Sequence, residues 1–193
     1  MIQPPAGSGF LLQQTDSIEV VATSPLADSM FIYVGDELFA AIAGIVIEDA
    51  VPAMMLGDVW LEHTITVMAK NETDVVEESF TAVPIPVSPV ADLPAGIVDG
   101  VNYLDGSNAI LSLYAPLKKF AFVIGDFNGW EAGEGSYMNR TPDGDHYWIE
   151  LSGLSPGEEY AYQYFVDGSI TISDPYAELV LDPWNDPYIS DET

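Results

Sequence analysis

Residues 84–94 of this chain read PIPVSPVADLP, and no other stretch restricts the fold so strongly. Four prolines in eleven residues remove four backbone donors and fix four φ angles. Such a segment can neither continue a helix nor sit in the middle of a sheet. It favours extended, semi-rigid linker geometry. On either side the chain breaks into short runs of β-branched and aromatic residues bounded by Gly, Pro, Asn and Asp, the pattern of β-sandwiches. At 193 residues there is room for two small domains. The expectation is an all-β chain of two sandwiches in tandem: one over residues 1–86, a proline-rich linker over 87–94, and one over 95–193.

In the first part Ser17–Thr23, Ser29–Val34 and Glu37–Ala43 read as strands. Val59–Ala69 is the strongest candidate, with Val59, Leu61, Ile65, Val67 and Ala69 on one face and Thr64 and Thr66 on the other. Lys70–Asp74, KNETD, turns the chain into Val75–Val83. The hairpin EHTITVMAKN…VEESFTAVPIPV resembles the last two strands of bacterial immunoglobulin-like domains, which implies a fold and no activity. His63 shares the parity of the core face. With His146 the only other histidine, it is expected to be a satisfied strand-end residue and not a metal ligand. Asn71-Glu72-Thr73 has the form of a glycosylation sequon and is read as a turn.

After the prolines, Ala109–Ala115 alternates and Phe120–Ile124 is the continuous apolar run of a central strand. Tyr137–Arg140 and His146–Leu151 flank the turn signal TPDGD at 141–145, and LSPGEE at 154–159 is a second tight turn. Asp143 and Asp145 suggest a calcium loop, but the distal glutamate of that pattern is missing, so no metal is expected.

Charge excludes whole classes of partner. There are 31 acidic residues against 4 basic ones, a net charge of −27. Phosphate backbones and anionic membrane surfaces both need clustered Lys and Arg, so neither nucleic acid nor membrane is an expected partner. Residues 1–92 carry −13 and residues 93–193 carry −14, so the charge is spread and forms no acidic tail. Two readings stand: a solvated surface that favours solubility, and a protein of a salty habitat whose counterions screen its self-repulsion. Cysteine is absent, which removes disulfides, thiolate nucleophiles and Cys-ligated zinc. No apolar run reaches spanning length. MIQPPAGSG lacks the regions of a signal peptide and reads as an engineered start inside a longer protein.

Paired carboxylates must be weighed as glycosidase machinery, since two carboxyls roughly 5–10 Å apart across a sugar cleft suffice. No carboxylate here sits in a recognisable catalytic motif, and small sandwiches rarely form a deep cleft. Two histidines and no GxSxG leave no case for a serine hydrolase. The chain is therefore expected to be no enzyme, with no catalytic residue, metal or cofactor.

Two motifs point to a binding role instead. VIGDFNGW at 123–130 delivers Phe127, Asn128 and Trp130 to a loop just past a strand. YQYFVDG at 162–168 alternates and closes on Asp167-Gly168. Together they resemble carbohydrate-binding module family 48. This is the early-set sandwich ahead of the catalytic barrel in starch- and glycogen-acting enzymes, and the glycogen-binding module of the AMP-activated kinase β subunit. The order DLPAGIVDGVNYLD, VIGDFNGW, YQYFVDG, DPYA, LDPWND resembles the region upstream of the barrel in α-amylase-like enzymes of Bacteroidetes, in glycoside hydrolase family 13. The fold implied is two immunoglobulin-like sandwiches.

The resemblance implies a non-catalytic region that positions an α-amylase-like barrel, which itself needs about 250 residues. It also implies weak contact with starch or glycogen and a place outside a bacterial cell, at its surface or in the periplasm. The alternative class is a stand-alone surface binding or adhesion module. Trp130 matches the family's loop tryptophan, Gln163 stands where a lysine is expected, and Ile170 where a second tryptophan is. The carbohydrate-facing candidates are thus Trp130, Asn128 and Gln163. Trp130 is open to two readings, a sugar platform and a ring packed on its own loop. The apolar terminal segment 174–189 implies a domain-docking surface through Tyr176, Trp184 and Tyr188.

Overall fold

The computed structural model describes residues 1–180, and the chain divides into two compact units, Met1–Val87 and the unit that begins at Ser88. Among the described residues everything regular is strand, apart from three-residue 3₁₀ turns. No helix there is long and apolar enough to cross a membrane.

The first unit contains β1 (Ile2–Gln3), β2 (Gly9–Gln13), β3 (Ser17–Thr23), β4 (Ser29–Val34), β5 (Glu37–Ala43), β6 (Val46–Pro52), β7 (His63–Lys70) and β8 (Val75–Ile85). They form a three-stranded sheet, β1-β3-β6, and a five-stranded sheet, β2-β8-β7-β4-β5. All pairings are antiparallel except β2 with β8, which runs from Gly9 beside Thr81 to Gln13 beside Ile85. Alternate residues of β3 and β6 (Ile18, Val20, Ala22, Ile47, Val51) meet Met30, Ile32, Ile65, Val67 and Phe80 of the other sheet in one buried cluster. Each of the Val, Ile, Met and Phe side chains in it contributes about 1.5–3 kcal/mol on removal from water.

β3, β4 and β5 have the expected bounds. β7 does not, because Val59–Glu62 lie outside it. Gly57 and Trp60 both have φ in the left-handed region, +97° and +66°, which turns the chain before the strand can start. Leu61 is consequently exposed, whereas Ile65 and Val67 are buried as their alternation requires. β6 has no counterpart among the expected strands. Glu48 and Asp49 interrupt its pattern, yet Ile47 and Val51 still point to the core.

The second unit contains β9 (Gly100–Tyr103), β10 (Asn108–Tyr114), β11 (Ala121–Gly125), β12 (Asn139–Arg140), β13 (His146–Ser152), β14 (Tyr162–Val166) and β15 (Ile170–Ile172). Its sheets run β12-β13-β10-β9 and β11-β14-β15. Leu111 faces Ile149 and Leu113 faces Tyr147 on the first; Ala121 faces Val166 and Val123 faces Tyr164 on the second. With Met138, these pairs fill the core between the two sheets.

Residues 88–91, expected within a linker, form part of this unit. Val90 bridges Arg140 in parallel; the Arg140 N–H donates to the Pro89 carbonyl at 2.8 Å and the Ala91 N–H to the Arg140 carbonyl at 3.0 Å. The buried Ser88 hydroxyl donates to the Tyr137 hydroxyl at 3.0 Å, and the Trp148 indole N–H to the Ala91 carbonyl at 3.2 Å. The physical reason is positional. Proline cannot donate but its carbonyl can accept, so an edge position suits Pro89.

Candidate functional site

The loop after β11 is built by its own side chains. Gly125 is required by crowding: a Cβ there would lie 2.4 Å from the Ala161 carbonyl oxygen and 2.9 Å from Tyr162 Cβ. Asn128 closes the loop from both ends of its amide. Its Oδ1 accepts from the Gly125 N–H and its Nδ2 donates to the Val123 carbonyl, each at 2.9 Å. Gly129 and then Trp130 take left-handed φ values of +66° and +65°. The Trp130 N–H returns to the Gly125 carbonyl at 3.0 Å. For a residue with a Cβ that backbone costs on the order of 1 kcal/mol.

Asp126 fixes the ring. Its Oδ1 accepts from Trp130 Nε1 at 2.9 Å, while its Oδ2 accepts from the Ala161 N–H, just ahead of β14, at 2.8 Å. The indole is thus oriented through its polar edge and remains 43% exposed. Phe127, in the same loop, packs toward the core and lies 6.4 Å from the Tyr160 ring. Asn128 is a brace of this loop, with most of its amide committed to backbone. Asp126 was not among the expected site residues; its spacing of four from Trp130 was the available signal.

Gln163 pairs with Ile124, next to the Gly125–Tyr162 pair to which the loop is tied. Its parity is opposite to that of the core residues Tyr162, Tyr164 and Val166. The turn beyond β14 has Asp167 and Gly168 at left-handed φ values of +50° and +70°, and the Ser169 N–H returns to the Val166 carbonyl at 3.2 Å. The Asp167 carboxylate accepts from the Lys119 N–H at 2.8 Å and lies 3.6 Å from the Lys118 ammonium. Across the hairpin Ile170 faces Val166 and Thr171 faces Phe165. Ile170 is therefore on the core-side parity, and Thr171 on that of Gln163.

A second polar cluster holds the segment after β15. Asp174 is only 3% exposed. Its Oδ2 accepts from the Tyr162 hydroxyl at 2.5 Å and the Tyr164 hydroxyl at 3.2 Å, and its Oδ1 from the Tyr176 N–H at 2.8 Å. Burial first, and then the Asp174 carboxylate, push both phenols well above the ordinary tyrosine value. Gly100 makes room for the chain here: at φ +91°, a Cβ on it would stand 2.6 Å from Tyr176 Cβ. The backbone of Tyr176 is thereby seated on its own sandwich, while its side chain stays exposed. Trp184 and Tyr188 lie outside the described residues.

Both histidines have local partners. His63 Nε2 is 3.1 Å from the Asp58 carbonyl, and His146 Nε2 is 3.4 Å from Asp99 Oδ1 with its ring beside Tyr114. Asp143 accepts from the Thr141 hydroxyl at 2.6 Å and from the Asp145 N–H, bonds that hold its carboxyl below the usual range and close the turn. Among the described residues no three His, Asp or Glu side chains gather as a metal site.

Residues 100–185 match the family model described as Carbohydrate-binding module 48 (Isoamylase N-terminal domain). A stretch of 73 residues is 34% identical to the 1,4-alpha-glucan branching enzyme GlgB of Fusobacterium nucleatum subsp. nucleatum, covering 37% of this chain and 12% of that enzyme. The chain therefore corresponds to a small part of the length of this relative. Among solved structures, the GBS pullulanase SAP in complex with maltotetraose aligns at 15% identity and a TM-score of 0.33, over 86% of this chain and 23% of the pullulanase. The Clostridium thermocellum CbhA fibronectin(III)-like modules align at 15% identity and 0.34, over 89% of each chain. A chimeric titin Z1Z2 aligns at 10% and 0.34, over 88% of this chain and 90% of that one. Scores this low, alike for proteins so different, distinguish no function.

Proposed function

We propose that this chain is a non-catalytic accessory region of an α-glucan-acting, α-amylase-like enzyme. Its second unit is the glucan-facing module, and its first is an immunoglobulin-like spacer; together they orient a catalytic barrel of the same polypeptide. The observation that carries the reading is the family match over residues 100–185. The geometry around Trp130 supports it: the indole is held by Asp126 through its nitrogen, leaving ring surface free for a pyranose. Gln163, on the adjoining strand and off the core-side parity, supplies an amide for sugar hydroxyls.

The magnitudes make this contact weak. Burying one tryptophan face contributes about 1.5–3 kcal/mol. Millimolar affinity already needs about 4 kcal/mol net, after the ordering costs of binding. Ile170, on the other parity, adds nothing on the side of Gln163. Maltooligosaccharides are therefore expected to bind at millimolar strength, with NMR shifts centred on residues 126–130 and 163. Trp130→Ala should abolish the shifts, and the purified chain should release no reducing ends from starch, glycogen or pullulan. Micromolar affinity, or affinity that survives Trp130→Ala, would overturn the assignment of the surface. Release of reducing ends that purifies with the chain would overturn the non-catalytic reading.

A further inference from the structure

Asn128 is followed by Gly129, the one Asn-Gly dipeptide in the chain; the other five asparagines precede Glu72, Tyr103, Ala109, Arg140 and Asp186. An asparagine amide can close on the backbone nitrogen of the next residue, and glycine has no Cβ to crowd that nitrogen. The structure leaves room for such a ring. Gly129 is exposed, and a Cβ built on it would meet nothing within 4 Å. Against this, the folded loop holds the amide at both ends. Its Oδ1 accepts from the Gly125 N–H and its Nδ2 donates to the Val123 carbonyl, each at 2.9 Å. Ring closure moves Cγ and releases Nδ2, so both bonds must break first. The same loop is tied to Ala161, ahead of β14, through Asp126, which also holds the Trp130 indole.

We propose that Asn128 is a site of spontaneous deamidation, guarded by these bonds while the loop is closed, and that its conversion disables the Trp130 surface. When the loop opens, the Gly129 backbone nitrogen attacks Asn128 Cγ. The N–Cγ bond forms, the Cγ–Nδ2 bond breaks, and the backbone proton leaves with the side-chain nitrogen as ammonia. Water then opens the cyclic imide. Breaking the new N–Cγ bond leaves aspartate; breaking the original peptide bond leaves isoaspartate, with the main chain routed through Cγ. Neither product restores the loop. The aspartate carboxylate can accept from Gly125, but it has no proton to donate and sets a negative oxygen against the Val123 carbonyl. It also adds a charge two residues from Asp126. Isoaspartate lengthens the main chain by a methylene between Gly125 and Trp130, so the Trp130 N–H loses its register with the Gly125 carbonyl, now 3.0 Å away. With the loop unlocked, the indole is no longer held to Asp126.

Peptide mass spectrometry of the chain, incubated at mildly alkaline pH in native buffer and in urea, tests this by reading amide exchanged for acid at each asparagine. In urea Asn128 should convert before the other asparagines. In native buffer it should convert at least about tenfold more slowly, since only the opened fraction reacts. Asp126→Ala removes the tie between the loop and β14 and should speed native conversion by about threefold to tenfold. Circular dichroism shows whether the variant is folded, and Trp130→Phe, which removes the indole donor, is the second variant should Asp126→Ala unfold. Asn128→Asp reproduces one product. It should move the Trp130 indole N–H resonance, assigned by its loss in Trp130→Phe, to the position of a free indole. None of these readouts depends on glucan binding. An Asn128 that converts no faster than the other asparagines in urea, native conversion as fast as in urea, a folded loop variant that converts at the parent's rate, or an indole resonance unmoved in Asn128→Asp would each overturn the proposal.

Discussion

At the scale of single residues, the loop that carries Trp130 is held by side chains whose removal has separable effects. Asp126 makes one bond to the indole and one to the backbone ahead of β14. Asp126→Ala should leave the fold in place and free the ring. The expected readouts are a red-shifted tryptophan emission and weaker maltooligosaccharide binding, with about 1–3 kcal/mol lost from urea unfolding. Gly125→Ala acts by collision. The new methyl would lie far inside contact distance of the Ala161 carbonyl, which is backbone and cannot swing away. Overpacking of this kind costs about 1–3 kcal/mol, read as a lower urea midpoint at unchanged slope. If Gly125→Ala melts like the parent, the close approach of the loop and β14 is wrong.

At the scale of elements, the segment after β15 is fastened by Asp174, not by apolar burial. Bonds to a charged acceptor are worth about 1.5–3 kcal/mol each and are not additive. Asp174→Ala should thus cost about 2–4 kcal/mol and open residues 172–177 to hydrogen exchange before the rest of the sandwich. The tyrosines that bond Asp174 set an alkaline limit. Their folded values lie above the unfolded 10.0, so above pH 10 the unfolded chain has released protons that the folded chain keeps. Their contribution is therefore complete below pH 10 and is lost as pH rises past it, by at most about 1.4 kcal/mol per pH unit per tyrosine. Urea unfolding at pH 9 and pH 11 should show the decline. Tyr164→Phe, which keeps the ring and removes one titrating hydroxyl, should flatten it. An unchanged slope would mean that Tyr164 is not buried against Asp174.

For the whole molecule, charge is the dominant variable. The acidic residues matter because so few bases offset them: 31 against 4. The described side chains include few ion pairs, such as Lys118 with Asp167, so most of the repulsion is left to counterions. Thermal midpoints should rise by several degrees between low and molar NaCl. Chloride separates screening from the strengthening of apolar burial that sulfate adds. Equal midpoints would mean the carboxylates are too widely spaced to matter.

The all-β class and the bounds of strands such as β3, β4 and β5 are legible in the sequence, because a period of two is written in consecutive residues. The sequence also carried the local part of the FNGW loop, where the bonds of Asn128 to Gly125 and Val123 and of Trp130 to Asp126 span five residues or fewer. The rest depends on contacts between residues far apart in the chain. Ser88 and Pro89 join the second sandwich through Tyr137 and Arg140, some fifty residues away. The side of the sheet taken by Ile170 follows from its register with Val166. Asp174, one carboxylate among many in sequence, is singled out by two tyrosines of a neighbouring strand. Alternation and turn chemistry are local, whereas partnership between strands depends on loop closure and packing over the whole chain, which no short window of residues contains.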